Sequence, residues 1–268
     1  MNRKRIFRWI KIIAIIYGSV GIAFYYLQER ILLQPKKLAA VHQFKFKKKF
    51  TELNIPINAT DTVNLVQFMP DSGKPKSVVL YFHGNRNNVQ RYERFVSLFL
   101  KNNCAVWLVD YPGFGKSSGA FTEKSVYKMG YELQKLAATN YAADSIIIYG
   151  KSLGTGIAAY VASETKNKLL ILETPYYSLK DVVSTYMFMY PIDRMMHLEF
   201  PTYKYLEGLE EPVVIFHGTD DGVIRYSSAA KLKAFLKPND VFYTIDGGTH
   251  NSINRNHLYF RVIDSLLQ

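Results

Sequence analysis

Two segments of the sequence carry the pattern Gly-x-Ser-x-Gly: Gly150-Lys-Ser152-Leu-Gly154 and Gly115-Lys-Ser117-Ser-Gly119. A serine at the centre of such a pattern can act as a nucleophile when a strand leads into it and a helix leaves it. The sharp turn then lifts the hydroxyl above the edge of a sheet. Only Ser152 has that setting. The β-branched run Ser145-Ile-Ile-Ile-Tyr149 precedes it, and Thr155-Gly-Ile-Ala-Ala-Tyr-Val-Ala162 follows with helical character. At Ser117 the strand has ended at Asp110, Pro112, Gly113 and Gly115 intervene, and no helix begins, so Ser117 reads as a loop serine. The same loop fails as a phosphate cradle. The first glycine of a Walker A motif would fall on Asp110, and the third glycine of a dinucleotide fingerprint on Ser118.

A nucleophilic serine needs a general base on a loop above the sheet and an acid that orients the base. His250, in Asp246-Gly-Gly-Thr-His250-Asn, follows the last strand pattern, and its two glycines permit a sharp approach. His83 and His217 each precede a glycine at a strand end and read as loop-shaping residues. His42, His197 and His257 lack such a context. The acid should lie between serine and histidine in chain order. Val213-Val-Ile-Phe-His217-Gly-Thr-Asp220-Asp221 supplies two carboxylates directly after a strand, with Asp221 preferred; Glu173, at the end of an earlier strand, is the outside alternative.

These residues need a scaffold. Strand patterns cover Thr51–Ile57, Val63–Met69, Ser77–Phe82, Cys104–Asp110, Ser145–Tyr149, Leu169–Glu173, Val213–His217 and Val241–Ile245. Helical patterns separate them from Ser77 onward, over Asn88–Lys101, Glu123–Thr139, Gly154–Glu164, Tyr226–Leu236 and Asn254–Leu267. That alternation predicts an α/β fold: a mostly parallel, about eight-stranded sheet with helices on both faces. The first two strands are joined by Asn58-Ala-Thr-Asp61, so the sheet should begin antiparallel.

Taken together, the motifs resemble the α/β-hydrolase superfamily over residues 50–268. They are His83-Gly-Asn85, Asp110-Tyr-Pro-Gly-Phe-Gly115-Lys-Ser, Gly150-Lys-Ser152-Leu-Gly154, His217-Gly-Thr-Asp-Asp221 and Gly248-Thr-His250-Asn. The set is similar to the serine-aminopeptidase-like hydrolases, and among those to the membrane-anchored abhydrolase-domain proteins. The resemblance implies Asp221 as the acid and an oxyanion hole made by the backbone N–H groups of Asn85 and Leu153. It also implies a short cap after the sixth strand, about residues 175–206. The acid loop continues Gly222-Val-Ile224 where the family often has Val-Pro.

The stretch between Glu173 and Glu211 holds four of the seven methionines and eight aromatic residues. Such adaptable apolar side chains suit an acyl chain. Tyr176, Met187, Phe188 and Met189 are the expected substrate-binding residues. The competing reading is ordinary packing of short cap helices on the sheet.

Charge divides the chain sharply. Its 268 residues carry a formal charge of +12, of which +11 falls on residues 1–49 and +1 on the remainder. A near-neutral body disfavours nucleic acid as a partner. Residues 10–27 are apolar apart from Lys11 and Ser19, follow Arg3, Lys4, Arg5 and Arg8, and are bounded by Trp9 and Tyr25-Tyr26. About 18 such residues approach the length of a bilayer-spanning helix with interfacial aromatics. The expected organisation is a basic tail (1–11), a transmembrane signal-anchor helix (12–28), a basic juxtamembrane segment (29–49) and a hydrolase domain (50–268). A cleaved signal peptide and a helix packed on the body are the alternatives. Five Lys or Arg side chains precede the span and five follow it within residues 28–47, so the positive-inside rule returns a tie. The short basic tail ahead of a first apolar segment points to a body on the non-cytoplasmic side. Phe44-Lys-Phe-Lys-Lys-Lys-Phe50 reads equally as a headgroup contact or as a lysine-guarded edge strand.

The single cysteine, Cys104, sits in an apolar run and reads as a buried strand residue. No metal or organic cofactor is implied. The expected activity is membrane-anchored serine hydrolysis of a carboxylic ester or thioester, a small-molecule acyl ester or lipid with an apolar acyl group. A serine peptidase acting on small peptides and a non-catalytic binding protein of the same fold are the rivals.

Overall fold

The computed structural model of the protein describes residues 3–71 and 73–268. The chain starts with a 30-residue helix, α1 (Arg3–Leu32). Eight strands then build one sheet: β1 (Phe50–Pro56), β2 (Thr62–Phe68), β3 (Ser77–Phe82), β4 (Cys104–Val109), β5 (Ile146–Lys151), β6 (Leu169–Glu173), β7 (Val213–Gly218) and β8 (Val241–Ile245). Their spatial order is β8-β7-β6-β5-β3-β4-β2-β1. β1 and β2 form the expected antiparallel hairpin, β2 runs antiparallel to β4, and the remaining neighbours are parallel.

The central strands are Val-, Ile- and Leu-rich because both faces are covered. The two-residue period divides each strand between two cores. Val78, Leu80 and Phe82 of β3 join one core with Ala105, Trp107 and Val109 of β4; Val79, Tyr81, Val106 and Leu108 join the other. Helices α2 (Glu123–Ala138) and α3 (Gly154–Glu164) lie over the first core. α2 begins in a capping box: Thr122 Oγ1 accepts from Ser125 N at 3.1 Å, and Ser125 Oγ accepts from Thr122 N at 2.9 Å. Its Val126, Met129, Leu133 and Ala137 then fall on one face. Cap helix α4 (Leu179–Tyr186) follows β6, and α5 (His257–Leu267) closes the chain against the second core.

The chain leaves β3 for β4 on one side and returns to β5 on the other. Loops after β3 and β5 therefore diverge at the carboxyl edge of the sheet, where an open α/β sheet leaves a crevice.

Three helical expectations change in detail. Asn88–Lys101 is a helical turn (Val89–Tyr92), a 3-10 turn (Glu93–Phe95) and a second helical turn (Ser97–Leu100). Tyr226–Leu236 passes from α-helix to 3-10 helix at Lys231, and Asn254–Leu267 opens on a 3-10 turn before α5. Apolar residues three or four apart satisfy either winding, so periodicity does not register where the chain tightens.

The N-terminal arm is less separate than its charge suggests. Along α1, Gly21, Phe24 and Gln28 are buried against the cap, while Ile13, Ile15 and Ile16 are exposed. Tyr17 stacks on Tyr190 with centroids 4.5 Å apart, and Gln28 bonds to the Met195 carbonyl and the His197 N–H. After α1, Gln34–Pro35 pairs in parallel with Arg86–Asn87, and Asn85 Nδ2 donates to the Leu32 carbonyl at 2.6 Å. The arm is thus stitched to the loop that follows β3. Of the Phe44–Phe50 segment, only Phe50 is in the edge strand β1. Phe44 and Phe46 stack on one another and pack toward Phe68, with Lys45 and Lys47 exposed.

Candidate active site

Ser152 is the first residue beyond β5, and it takes φ +52°. A left-handed backbone on a non-glycine residue costs about 1–3 kcal/mol and persists only where its surroundings impose it. Here they do: Ser152 N donates to the Glu173 carbonyl at 2.9 Å, and the Ser152 carbonyl accepts from Thr155 N at 2.9 Å as α3 begins. The flanking glycines make room for the turn. A Cβ on Gly154 would overlap the Phe82 carbonyl and stand 2.7 Å from that of His83. One on Gly150 would stand 2.6 Å from the Gly154 carbonyl. Gly154→Ala is therefore expected to destabilise the fold by more than ~4 kcal/mol, seen as loss of cooperative thermal unfolding, because backbone rather than a flexible side chain blocks the methyl.

His250 reaches the same point from the loop after β8. Its Nε2 lies 3.0 Å from Ser152 Oγ, and its Nδ1 lies 2.7 Å from Asp221 Oδ2. The approach depends on Gly218 and Gly248 touching: a Cβ on Gly218 would sit 2.7 Å from Gly248 Cα. The Gly248 carbonyl accepts from Asp220 N at 3.0 Å, which ties the acid loop to the histidine loop.

Asp221, not Asp220, faces the imidazole. Asp220 is exposed and takes a hydrogen bond from the Thr219 hydroxyl. Asp221 is buried, and its Oδ1 accepts from Val223 N and Ile224 N, both at 2.8 Å. Burial by itself pushes the Asp221 carboxyl up, but the His250 hydrogen bond and charge with the two N–H donors outweigh it and hold the carboxyl below its ordinary value. Glu173 is committed elsewhere, buried against Lys151 Nζ and the Tyr149 hydroxyl.

The other histidines and the second motif occupy structural places. His83 is buried between Tyr92 and Tyr111, with Nδ1 2.7 Å from the Gly84 carbonyl. His217 is also buried; desolvation lowers its pKa in spite of Asp221 nearby. Ser117 is buried, donates to the Asp110 carbonyl at 2.7 Å and accepts from Asn64 N at 2.9 Å. Cys104 is buried in β4, where burial raises its thiol pKa.

Asn85 lines a cavity of about 120 Å³ together with Ser152 and His250. Leu153 caps α3, and a helix start leaves its N–H without an intrahelical acceptor. The expected acyl-pocket residues separate. Met187 lines a larger apolar cavity beside the cap. Phe188 and Met189 are 80% and 65% exposed at the cap tip, and neither lines that cavity. Tyr176 is buried under the nucleophile turn, its hydroxyl donating to the Leu153 carbonyl at 2.9 Å. Helix α4 ends at Tyr186, so residues beyond Met187 leave the groove-facing side. Sequence reading missed Arg86, Arg91, Arg94 and Val223, which line the Ser152 cavity. Three arginines within nine residues of the His83-Gly-Asn85 motif were the available signal.

Among the described residues, no cluster of three His, Cys, Asp or Glu side chains could hold a metal ion.

Comparison with known proteins follows the same lines. The family profile described as Serine aminopeptidase, S33 matches residues 73–210, just over half of the chain. Human alpha/beta hydrolase domain-containing protein 17B is 29% identical over 210 residues, covering 75% of this chain and 68% of its own length. The uncharacterized protein R595 of Acanthamoeba polyphaga mimivirus is 26% identical over 258 residues, covering 84% and 87%. The Pyrococcus furiosus esterase Pf2001 superposes with a TM-score of 0.69 at 17% identity, covering 88% of this chain and 98% of its own. Est1E of Butyrivibrio proteoclasticus, solved with ferulic acid, gives 0.60 at 18% identity over 80% and 96%. With the strand order and the matched profile in agreement, the chain belongs to the serine aminopeptidase S33 family of α/β-hydrolases.

Proposed function

We propose that this hydrolase is a membrane-anchored serine esterase that cleaves carboxylic esters or thioesters of apolar acyl groups. The observation that carries the reading is the continuous chain Ser152 Oγ–His250–Asp221, with contacts of 3.0 and 2.7 Å. In this reading His250 Nε2 takes the Ser152 proton as Oγ attacks the acyl carbonyl. Asp221 holds Nδ1 protonated and stabilises the imidazolium. The backbone N–H groups of Asn85 and Leu153 receive the developing oxyanion, each worth about 10²- to 10³-fold in rate. The imidazolium returns its proton to the leaving group, and water, deprotonated by His250, releases the acid from the acyl-enzyme.

α1 is the anchor in this proposal, ahead of a hydrolase domain over residues 50–268 with its cap near 175–206. Thirty helical residues extend about 45 Å, and since Tyr17, Gly21, Phe24 and Gln28 pack on the cap, the part free to enter the bilayer is residues 3–16, about 21 Å, which brings the cap to the membrane surface. The short basic tail favours a body on the non-cytoplasmic side, so protease added to intact cells is expected to digest it; full protection would reverse the orientation.

Chain length is the discriminating measurement for chemistry. A panel of acyl esters from acetyl to palmitoyl, with a matched peptide amide, is expected to give ester rates rising with chain length and little amide cleavage. Preferential cleavage of the amide would replace the esterase reading with the peptidase one. The esterase neighbours favour the former.

A further inference from the structure

Two cavities of opposite character share a lining residue, Val223. One, of about 640 Å³, is lined by Val20, Ala23 and Phe24 of α1 and by Val183, Tyr186 and Met187 of the cap. Its volume falls within the ~300–1,000 Å³ usual for small-ligand pockets. The other is the cavity of about 120 Å³ that holds Ser152 and His250, with Arg86, Arg91 and Arg94 on its rim. Val223 lines both. Val223 is fixed between them: its N–H donates to Asp221 Oδ1, and the Tyr186 hydroxyl lies 2.9 and 3.0 Å from the Gly222 and Val223 carbonyls.

The charges on the smaller cavity are unequal. Lys151 is neutralised by buried Glu173. Among the described residues, Arg86, Arg91 and Arg94 form no ion pair with a carboxylate. Arg94 is instead oriented over the Phe95 ring, 4.7 Å from its centroid. Three arginines without a carboxylate partner around the cavity that holds the nucleophile suit an anion, because planar guanidinium forks match phosphate oxygens in pairs.

The geometry points to a substrate class: we propose that the substrate is a phosphate-bearing acyl amphiphile. Its acyl chain lies in the groove between α1 and the cap, its ester carbonyl rests at Ser152, and the phosphate of its leaving group sits on Arg86, Arg91 and Arg94. The proposal rests on the serine esterase reading and assigns that site its substrate. It gives α1 a second task. The helix forms one wall of the acyl groove, and its N-terminal half carries Phe7, Trp9, Ile13 and Ile15 more than half exposed around its circumference. A groove walled by a helix whose preceding turns are that apolar and exposed lies next to the hydrocarbon those turns require, so the substrate arrives from the lipid phase chain first. Hydrolysis transfers the acyl group to Ser152 Oγ, releases the phosphate-bearing alcohol with the proton from His250, and then frees the fatty acid with water.

The test uses the full chain in neutral detergent micelles. It compares 1-palmitoylglycerol 3-phosphate with 1-palmitoylglycerol at equal mole fraction, beside a neutral butyryl ester and fluorophosphonate labelling. The phosphate substrate is expected to have a kcat/KM at least about tenfold higher, through KM. The triple variant Arg86→Gln, Arg91→Gln, Arg94→Gln should bring that ratio close to one. Ala23→Trp should lower the palmitoyl-to-butyryl rate ratio by at least about tenfold, since an indole fills the groove. Equal use of the two palmitoyl substrates, or a preference unmoved by the triple variant, overturns the phosphate assignment. A chain-length ratio unmoved by Ala23→Trp overturns the place of the chain. Either result, with labelling and neutral-ester hydrolysis intact, leaves the esterase reading standing; loss of both labelling and all hydrolysis in the wild-type protein overturns the two together.

Discussion

Ser152→Ala is expected to abolish fluorophosphonate labelling and to lower kcat on any cleaved ester by about 10⁵- to 10⁶-fold, while thermal stability stays the same or rises. The magnitude follows from the proposed mechanism, in which Ser152 Oγ forms the acyl-enzyme and His250 and Asp221 act only through it. A residual rate of about 10³- to 10⁴-fold over water would come from the oxyanion donors and from binding alone. Stability should not fall, because the backbone bonds of residue 152 to Glu173 and Thr155 use no side-chain atom, and alanine tolerates φ +52° no worse than serine does. Labelling that persists in Ser152→Ala would place the nucleophile elsewhere.

The second large effect separates two adjacent carboxylates. Asp221→Asn is expected to lower kcat by about 10⁴-fold with KM little changed, since an amide facing Nδ1 can impose the wrong tautomer and cannot stabilise an imidazolium. Asp220→Asn, on an exposed side chain, should leave the rate within about twofold, as surface substitutions do. The pair also differs in the acid limb of stability. Asp221 has a folded pKa below its unfolded value. It therefore contributes stability that is present above the unfolded value of about 3.9 and is lost as pH falls through the folded value. Asp221→Asn removes that contribution, so the gap in Tm between wild type and variant should narrow on acidification below about pH 4. A gap that stayed constant with pH would mean that Asp221 is not held ionised by its partners.

Much of this architecture is legible in the sequence. Short Val- and Ile-rich runs bounded by glycine and separated by helical patterns correspond to strands with the observed order of elements, because burial on both faces leaves an apolar run wherever a central strand lies. Ser152 is distinguished from Ser117 by neighbours in sequence, since a strand entering and a helix leaving are both local. The acyl-pocket residues are different. Met187, Phe188 and Met189 are consecutive and chemically alike, yet one lines a cavity and two are exposed, because the end of α4 turns the chain away. Tyr176 carries the same aromatic signal and supports the nucleophile turn from below. The helix expected over Asn88–Lys101 breaks into three turns, a choice made by packing on the sheet rather than by periodicity.

The family, the strand count and the three residues proposed for catalysis are carried by local constraints in the sequence: a strained turn, paired glycines, a carboxylate after a strand. The tertiary structure supplies the contact behind the sequence's preference for Asp221 over Asp220, since both follow the same strand and only one points at His250. It also decided the use of the arm. The positive charge and apolar run of residues 1–49 describe a long apolar helix behind a basic tail. Only packing, through Gln28, Tyr17 and the Gln34–Pro35 pairing, brings that helix against the cap and beside the nucleophile. Contacts between residues 52 to 173 positions apart leave no pattern in a window of sequence, because nothing local records which surface a finished helix will meet.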